Sequence, residues 1–169
     1  MKTITKLSLI ALLAFGSFNL ASCSDDDNNS NNGGGNTPEG EFVSAKVNGQ
    51  DFSSSTLFDA VAASHPNATT LMVQGSDNSG KAIQIMVLGL NGTGTYNLSN
   101  MQNGQMLYTV ASPFASYSSA AGSGAQGTLE ITHIDDTKVE GTFSFTGKNP
   151  NDTSQSVTVT DGSFRANFQ

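Results

Sequence analysis

Residues 128–146 read TLEITHIDDTKVEGTFSFT and decide the fold class of this chain. Apolar and polar residues alternate on both sides of Asp135-Asp136-Thr137, whose short polar side chains favour a turn. In the second arm the apolar positions are Val139, Gly141, Phe143 and Phe145. Because successive side chains of a strand point to opposite faces, the pattern predicts an antiparallel hairpin with one buried and one solvated face.

The same two-residue period extends over most of the chain. Residues 42–47 and 51–56 flank Asn48-Gly49, a dipeptide typical of a type I′ hairpin turn. Further strands are predicted at 70–74, 81–88, 94–98, 106–111 and 128–134. Val157 and Val159 occupy odd positions, whereas Phe164, Ala166 and Phe168 occupy even ones, which predicts a glycine bulge at Gly162.

Helical patterns are scarce in the same region. Residues 57–63 could form one helical turn, residues 112–127 form a small-residue loop expected to be mobile, and no longer window has a helical period. About eight to ten strands joined by short turns predict an all-β domain over residues 42–169. Its architecture is an antiparallel β-sandwich or a flattened β-barrel.

The N-terminus has a different character. Lys2 and Lys6 precede an apolar run over residues 7–20. Fourteen residues rise only about 21 Å as a helix, and a hydrocarbon core is roughly 30 Å thick. The segment is therefore predicted to be a signal peptide over residues 1–22 rather than a membrane anchor.

Leu20-Ala21-Ser22-Cys23 resembles the lipobox of bacterial lipoproteins. The resemblance implies cleavage before Cys23, a diacylglyceryl thioether on its sulfur and acylation of the new amino terminus, with palmitate among the acyl chains. The alternative is an ordinary secretory signal that leaves a free thiol. Since Cys23 is the single cysteine, the sequence excludes an intramolecular disulfide, a cysteine-based zinc site and a redox dithiol.

Residues 23–41 join the anchor to the domain. Their Asp, Asn and Gly content leaves almost nothing to bury, which predicts a disordered tether. Asp25, Asp26 and Asp27 resemble the surface-export signal of Bacteroidota lipoproteins, and otherwise they only begin a solvated spacer. The expected location is the outer membrane, at the cell surface or alternatively facing the periplasm.

The charge balance limits the partners. The chain has a formal charge of −7, and removal of residues 1–22 leaves 5 Lys and Arg against 14 Asp and Glu, a charge of −9. Phosphate backbones and anionic bilayer surfaces require clustered cations. Nucleic acid is therefore excluded as a partner, and the membrane is reached through the lipid anchor.

Candidate catalytic groups are few. His65, predicted in a loop, and His133, predicted to be partly buried and hydrogen-bonded near a strand end, are the only imidazoles. The chain has no Gly-x-Ser-x-Gly elbow, and residues 116–123 are rich in serine without a defining neighbour. The sequence predicts no enzyme and no catalytic residue.

Paired carboxylates and oxygen-rich loops are the remaining chemical candidates. Asp135 with Asp136, or Glu130 with Glu140, could act as an acid and base pair, but the turn and the polar strand face explain them. Loops at Asp77-Asn78-Ser79 and Asn151-Asp152-Thr153 could hold calcium, but they lack EF-hand spacing and are interpreted as solvated turns. No metal or other cofactor is predicted.

Four segments together resemble a family of Bacteroidota lipoproteins known as a domain of unknown function. They are residues 42–49 (FVSAKVNG), 94–96 (GTY), 139–145 (VEGTFSF) and 159–164 (VTDGSF). The resemblance covers nearly the whole domain and implies an all-β exported lipoprotein. It implies no activity and no site residue.

Three functions stay open. The first is a surface or periplasmic binding and interaction module for a glycan, peptide or protein, in which a rigid scaffold presents loops. Tyr96, Tyr108 and Tyr117 are the only tyrosines and there is no Trp, so a sugar-stacking platform is weakly provided and packing at the domain rim is the simpler interpretation. The alternatives are a structural envelope lipoprotein and a hydrolase.

Overall fold

Twelve strands make up the secondary structure of the computed structural model, which describes residues 40–56 and 60–169. The strands are β1 (Phe42–Val47), β2 (Gln50–Ser53), β3 (Val61–Asn67), β4 (Thr70–Ser76), β5 (Lys81–Leu88), β6 (Gly94–Asn97), β7 (Ser99–Asn100), β8 (Gly104–Val110), β9 (Ala115–Ser118), β10 (Gln126–Ile134), β11 (Lys138–Asn149) and β12 (Asp152–Asn167). The all-β fold class is confirmed, and the strand number exceeds the eight to ten that were predicted.

The strands form one antiparallel sheet in the order β2-β1-β12-β11-β9-β8-β5-β4-β3. β10 pairs with β11 and β6, while β7 pairs with β8. We call β1, β2, β6, β10, β11 and β12 the first half, and β3, β4, β5, β7, β8 and β9 the second half. The halves meet where Lys148 of β11 pairs with Ser118 of β9, and a parallel bridge joins Ala63 to Phe168.

The two halves face each other across one core. A Cβ atom added to Gly75 of β4 would lie 2.4 Å from the Val43 Cβ of β1, and one at Gly127 of β10 would lie 2.4 Å from the Met106 methyl carbon of β8. Only glycine permits so close an approach. The largest fully buried side chains come from both halves and are Phe164, Leu71, Ile83, Ile85, Leu98, Met106, Leu129, Ile131, Val43, Val87, Val139 and Val159.

The predicted hairpins are confirmed. Asn48 and Gly49 join β1 to β2 with φ angles of 49° and 79°, the left-handed pair that a type I′ turn requires. The 128–146 hairpin is β10 and β11, and it extends three residues beyond the predicted end because Gly147, Lys148 and Asn149 continue pairing with β12.

Two predictions about irregular segments were wrong. The sequence is compatible with a helical turn at residues 61–63, but these residues begin β3. The loop predicted at 112–127 contains β9 and the start of β10. Both missed strands are rich in Ala and Ser, which have little intrinsic preference for strands, so pairing with β4 and β8 determines their conformation. His65, predicted in a loop, lies in β3 with its ring 4.4 Å from that of Phe168.

The predicted bulge lies in β12 and shifts its pairing with both neighbours at the same point. Its left-handed residue is Asp161, with φ of 52°, rather than the glycine. Gly162 is needed for a different reason, because a Cβ there would lie 2.5 Å from the Phe143 carbonyl oxygen. The extra residue moves the buried positions from odd to even numbers and keeps both ends of the strand in the core.

The predicted signal peptide, Cys23, Asp25, Asp26, Asp27 and nearly all of the predicted tether lie outside the described residues. Those assignments stay predictions. In the part of the chain that the structure describes, we find no helix with the length and apolar character needed to cross a membrane.

Candidate functional site

A cleft of about 320 Å³ opens at the end of the domain where β1 turns into β2. Both halves contribute to its walls, because the turn between β4 and β5, the ends of β8 and β9 and Val157 of β12 reach the same place. The lining residues are Val47, Asn48, Gln50, Asp51, Phe52, Asp77, Lys81, Tyr108, Val110, Tyr117 and Val157. We call this feature the tyrosine cleft.

The two tyrosines of the cleft are neighbours across a strand pair. Tyr108 follows Met106 on the inward face of β8, and it pairs with Tyr117 of β9. Their ring centroids are 6.4 Å apart with an interplanar angle of 29°. Tyr108 is 7% exposed and Tyr117 is half-buried, so the pair forms the aromatic inner wall of the tyrosine cleft.

Neither of these phenol hydroxyls has a hydrogen-bond partner among the described residues. Every fully buried side-chain nitrogen or oxygen in the same residues does have one. The Tyr108 hydroxyl must therefore touch solvent through the cleft although most of its ring is buried. The buried ring fixes the position of this hydroxyl, and solvent water is left as its hydrogen-bond partner. Such a group is available to a ligand.

Asp77 is held at the rim by its own turn. Its Oδ1 accepts the backbone N–H groups of Ser79 and Lys81, both at 2.8 Å, and Oδ2 accepts the Ser79 hydroxyl at 2.8 Å. Partial burial opposes ionisation, but these hydrogen bonds outweigh it and hold the pKa of Asp77 below its ordinary value. Burial, together with the nearby Asp77 charge, raises the pKa of Tyr108.

The remaining charges of the rim are exposed. Asp51 accepts a hydrogen bond from Lys46 at 3.3 Å, with the Asp51 side chain 88% exposed, so this pair contributes at most about 1 kcal/mol. Lys81 has no carboxylate within ion-pair distance among the residues described. The cleft therefore combines two carboxylates that already have partners with one ammonium group that has none.

His133 is brought together with Asp135 but not with a nucleophile. Its Nε2 lies 2.9 Å from Asp135 Oδ2, and both side chains are nearly half exposed. The hydroxyl and N–H of Thr137, the His133 ring and the Lys138 N–H hold the pKa of Asp135 well below its usual range. The prediction of a partly buried, hydrogen-bonded histidine is confirmed, and Asp135 caps the β10–β11 turn as predicted.

Glu130 and Glu140 do not lie opposite each other in this hairpin, so the register does not place them as a directly facing acid and base pair. Glu130 of β10 lies opposite Thr142 of β11, whereas Glu140 lies opposite His133, beyond the register shift between Ile131 and His133. Glu140 accepts hydrogen bonds from Lys138 at 2.7 Å and Arg165 at 3.1 Å, and the Lys138 bond is the main cause of its lowered pKa. Its position beside Lys138 agrees with the polar face that was predicted.

The second oxygen-rich loop also uses its carboxylate internally. Asp152 accepts hydrogen bonds from the hydroxyl and N–H of Ser154 and from the side-chain amide of Gln155, which together lower its pKa.

The serine-rich segment has a structural role at its centre. Ser119 is fully buried, accepts the Met106 N–H at 2.8 Å and donates to the Leu98 carbonyl oxygen.

Tyr96 is separate from the other two tyrosines. Its hydroxyl donates to the Gly92 carbonyl oxygen at 2.6 Å and accepts the Asn91 N–H at 3.0 Å. Tyr96 therefore closes the β5–β6 loop, and its hydroxyl both donates and accepts hydrogen bonds within the protein.

A second concave surface was missed by the sequence analysis. A groove of about 300 Å³ lies on the outer face of β3, β4, β5 and β8, where Met72 and Met86 are paired across the strands. Gln74 and Gln84 form an amide hydrogen bond of 2.6 Å beside them. The only signal in the sequence is that methionines occupy outward positions of two predicted strands.

The fold and the tyrosine cleft define an all-β domain, one antiparallel sheet folded over a single core, with a small concave site at one end of its strands. Residues 36–166 match the family described as domain of unknown function DUF6252. The chain belongs to this family, which confirms the predicted membership of an unknown-function family. Searches of curated proteins and of solved structures returned no match.

Proposed function

We propose that this protein is a lipid-anchored envelope protein that binds a ligand in its tyrosine cleft. The observation that carries the binding role is the pair of phenol hydroxyls that reach a concave, partly apolar site without a hydrogen-bond partner among the described residues. A pocket with an apolar interior and a few fixed polar groups is the usual form of a small-ligand site. The Asp77 turn supplies such a fixed polar group at its rim.

The position of the cleft supports a binding role for an anchored protein. The chain enters the domain at Glu41, whose carboxylate accepts the Asn167 N–H at 2.6 Å. Asn167 pairs with Lys138, so this end also contains the β10–β11 turn. β1 then runs about 20 Å to Asn48 at the cleft. A tether attached at Glu41 would therefore leave the cleft on the far end of the domain.

The anchor itself rests on the sequence. Cys23 in its lipobox context is the proposed lipid attachment site, and Asp25, Asp26 and Asp27 are the proposed surface-export signal. More than one acyl chain on Cys23 would hold the protein stably on a membrane, because a single chain binds only marginally. We propose the outer membrane, with the domain at the cell surface.

The binding role is tested by labelling the purified full chain with 3-fluorotyrosine. Its three resonances can be assigned with Tyr96→Phe, Tyr108→Phe and Tyr117→Phe variants. A library of sugars, amino acids, amines and carboxylates is then added. We expect at least one compound to shift the Tyr108 and Tyr117 signals and to leave the Tyr96 signal unchanged. If no compound does so, the structural envelope role replaces the binding role.

The location is tested by protease digestion of intact cells. The wild-type domain should be digested, a variant with Asp25, Asp26 and Asp27 replaced by Ala should be protected, and Cys23→Ala should release the protein from membranes. Protection of the wild type until the envelope is opened would contradict the surface location and leave the periplasmic one.

A further inference from the structure

We infer that the tyrosine cleft takes an uncharged saccharide, held by its hydroxyl groups at the rim and by a ring face against the apolar wall. This inference rests on the proposed function and names the ligand class for the same site. It follows from the shape, the hydrogen-bonding groups and the charges of the cleft, taken in that order.

The shape restricts the ligand to a small body. A volume of about 320 Å³ is at the lower end of the roughly 300–1,000 Å³ range of small-molecule sites. The cleft opens at one end of the domain, so a longer chain could continue into solvent while one terminal unit occupies the site. A terminal monosaccharide fits within this volume.

The wall and the rim have opposite chemistry. Phe52 and Val157 are buried and line the wall beside the two tyrosines, while Asn48 and Gln50 are exposed at the rim. The Asn48 Oδ1 already accepts the Thr158 N–H at 2.9 Å, so Asn48 offers a ligand its amide donors, whereas Gln50 offers both donors and an acceptor. A pyranose has the matching division, because its C–H face is apolar and its edge carries hydroxyl groups that both donate and accept. Amide and phenol side chains also do both, so they suit hydroxyl groups better than groups that only donate or only accept.

The charged groups of the cleft favour a neutral ligand over an anionic or a cationic one. Lys81 is the single cation among the lining residues, whereas a phosphorylated or dicarboxylate ligand needs more than one positive group or a bidentate Arg, which this lining does not supply. A cationic ligand would compete with existing partners, because Asp77 already accepts hydrogen bonds from Ser79 and Lys81 and Asp51 is paired with Lys46. A neutral ligand that relies on hydroxyl groups remains.

The test uses the fluorotyrosine-labelled full chain with defined probes. Neutral methyl glycosides of glucose, galactose, mannose and N-acetylglucosamine are compared with choline as a cation, glucose 6-phosphate as an anion and toluene as an apolar ring. We expect a neutral glycoside to shift the Tyr108 and Tyr117 signals. Its affinity should fall about fivefold or more in Tyr117→Phe and in Gln50→Ala, the loss expected for one neutral hydrogen bond.

Matched controls lie outside the cleft. Tyr96→Phe removes a phenol hydroxyl and Gln102→Ala removes an exposed amide from another loop, and both should bind the glycoside as the wild type does. Equal glycoside affinity in Tyr117→Phe and Gln50→Ala would overturn the inference. If choline, glucose 6-phosphate or toluene alone shifts the two signals, the saccharide class is wrong and the binding role stands. If no probe shifts them and the wider library also fails, both proposals fall.

Discussion

Removing single hydroxyl groups should separate the structural tyrosine from the two cleft tyrosines. The Tyr96 hydroxyl makes two hydrogen bonds, at 2.6 Å to the Gly92 carbonyl oxygen and at 3.0 Å from the Asn91 N–H. Each such bond contributes about 0.5–1.5 kcal/mol, so Tyr96→Phe should lower the free energy of unfolding by about 1–2 kcal/mol. For a domain of this size that corresponds to a melting temperature roughly 4–8 °C lower.

The cleft tyrosines should behave in the opposite way. Because the Tyr108 hydroxyl has no partner among the described residues, Tyr108→Phe breaks no protein hydrogen bond and exchanges only contact with water. The free energy of unfolding should stay within about 0.5 kcal/mol of the wild type. Tyr117→Phe should behave similarly. Binding should respond in reverse, with loss in the Tyr108 and Tyr117 variants and none in Tyr96→Phe.

Urea unfolding followed by far-ultraviolet circular dichroism measures these values without depending on tyrosine emission. A loss of more than about 1 kcal/mol in Tyr108→Phe would refute the reasoning, because the hydroxyl would then have a protein partner and would not be free for a ligand. An unchanged Tyr96→Phe variant would show that the β5–β6 loop does not depend on this side chain.

Three further predictions concern the scaffold. Ser119→Ala leaves a buried N–H and a buried carbonyl oxygen without their partner and should cost about 2–4 kcal/mol in urea unfolding, whereas the half-buried Ser116→Ala should cost less than about 0.5 kcal/mol. Asp161 has a left-handed φ of 52°, which glycine adopts without steric strain, but glycine also raises the conformational entropy of the unfolded chain. The melting temperature of Asp161→Gly should therefore equal or slightly exceed that of the wild type. A clear decrease would contradict the bulge geometry. The pKa values of Asp77, Asp135, Glu140 and Asp152 are all lowered by folding, so the stability they contribute is complete above the ordinary values of 3.8 and 4.5 and is lost as the pH falls through the folded values. The urea midpoint should therefore fall from about pH 4 downward, less steeply in Asp135→Asn, and a midpoint that rises on acidification would contradict this.

Sequence reasoning succeeded where local signals and tertiary pairing agree. The hairpins around Asn48-Gly49 and Asp135 follow from alternation and turn chemistry alone, and the change of parity in β12 correctly indicated a bulge. β3 and β9 were missed because their Ala and Ser content carries no strand signal. Their conformation depends on neighbours that are distant in sequence, which a local pattern cannot contain.

The candidate site shows the same limit more clearly. Tyr108, Tyr117 and Asp77 were each singled out from the sequence, but for unrelated reasons. Their convergence depends on the pairing of β8 with β9 and on the turn between β4 and β5. The register of a sheet brings these groups together, and no spacing along the chain encodes it.

The three turns beside the tyrosine cleft have a consequence for how related chains can diverge. They join β1 to β2, β4 to β5 and β8 to β9, and each connects two strands that remain paired on their own. Insertions in any of them can therefore alter the mouth of the cleft without shifting the core register. The shape of the cleft mouth is thus physically uncoupled from the fold, so members of this family can share a scaffold and differ in the surface that they present at this end.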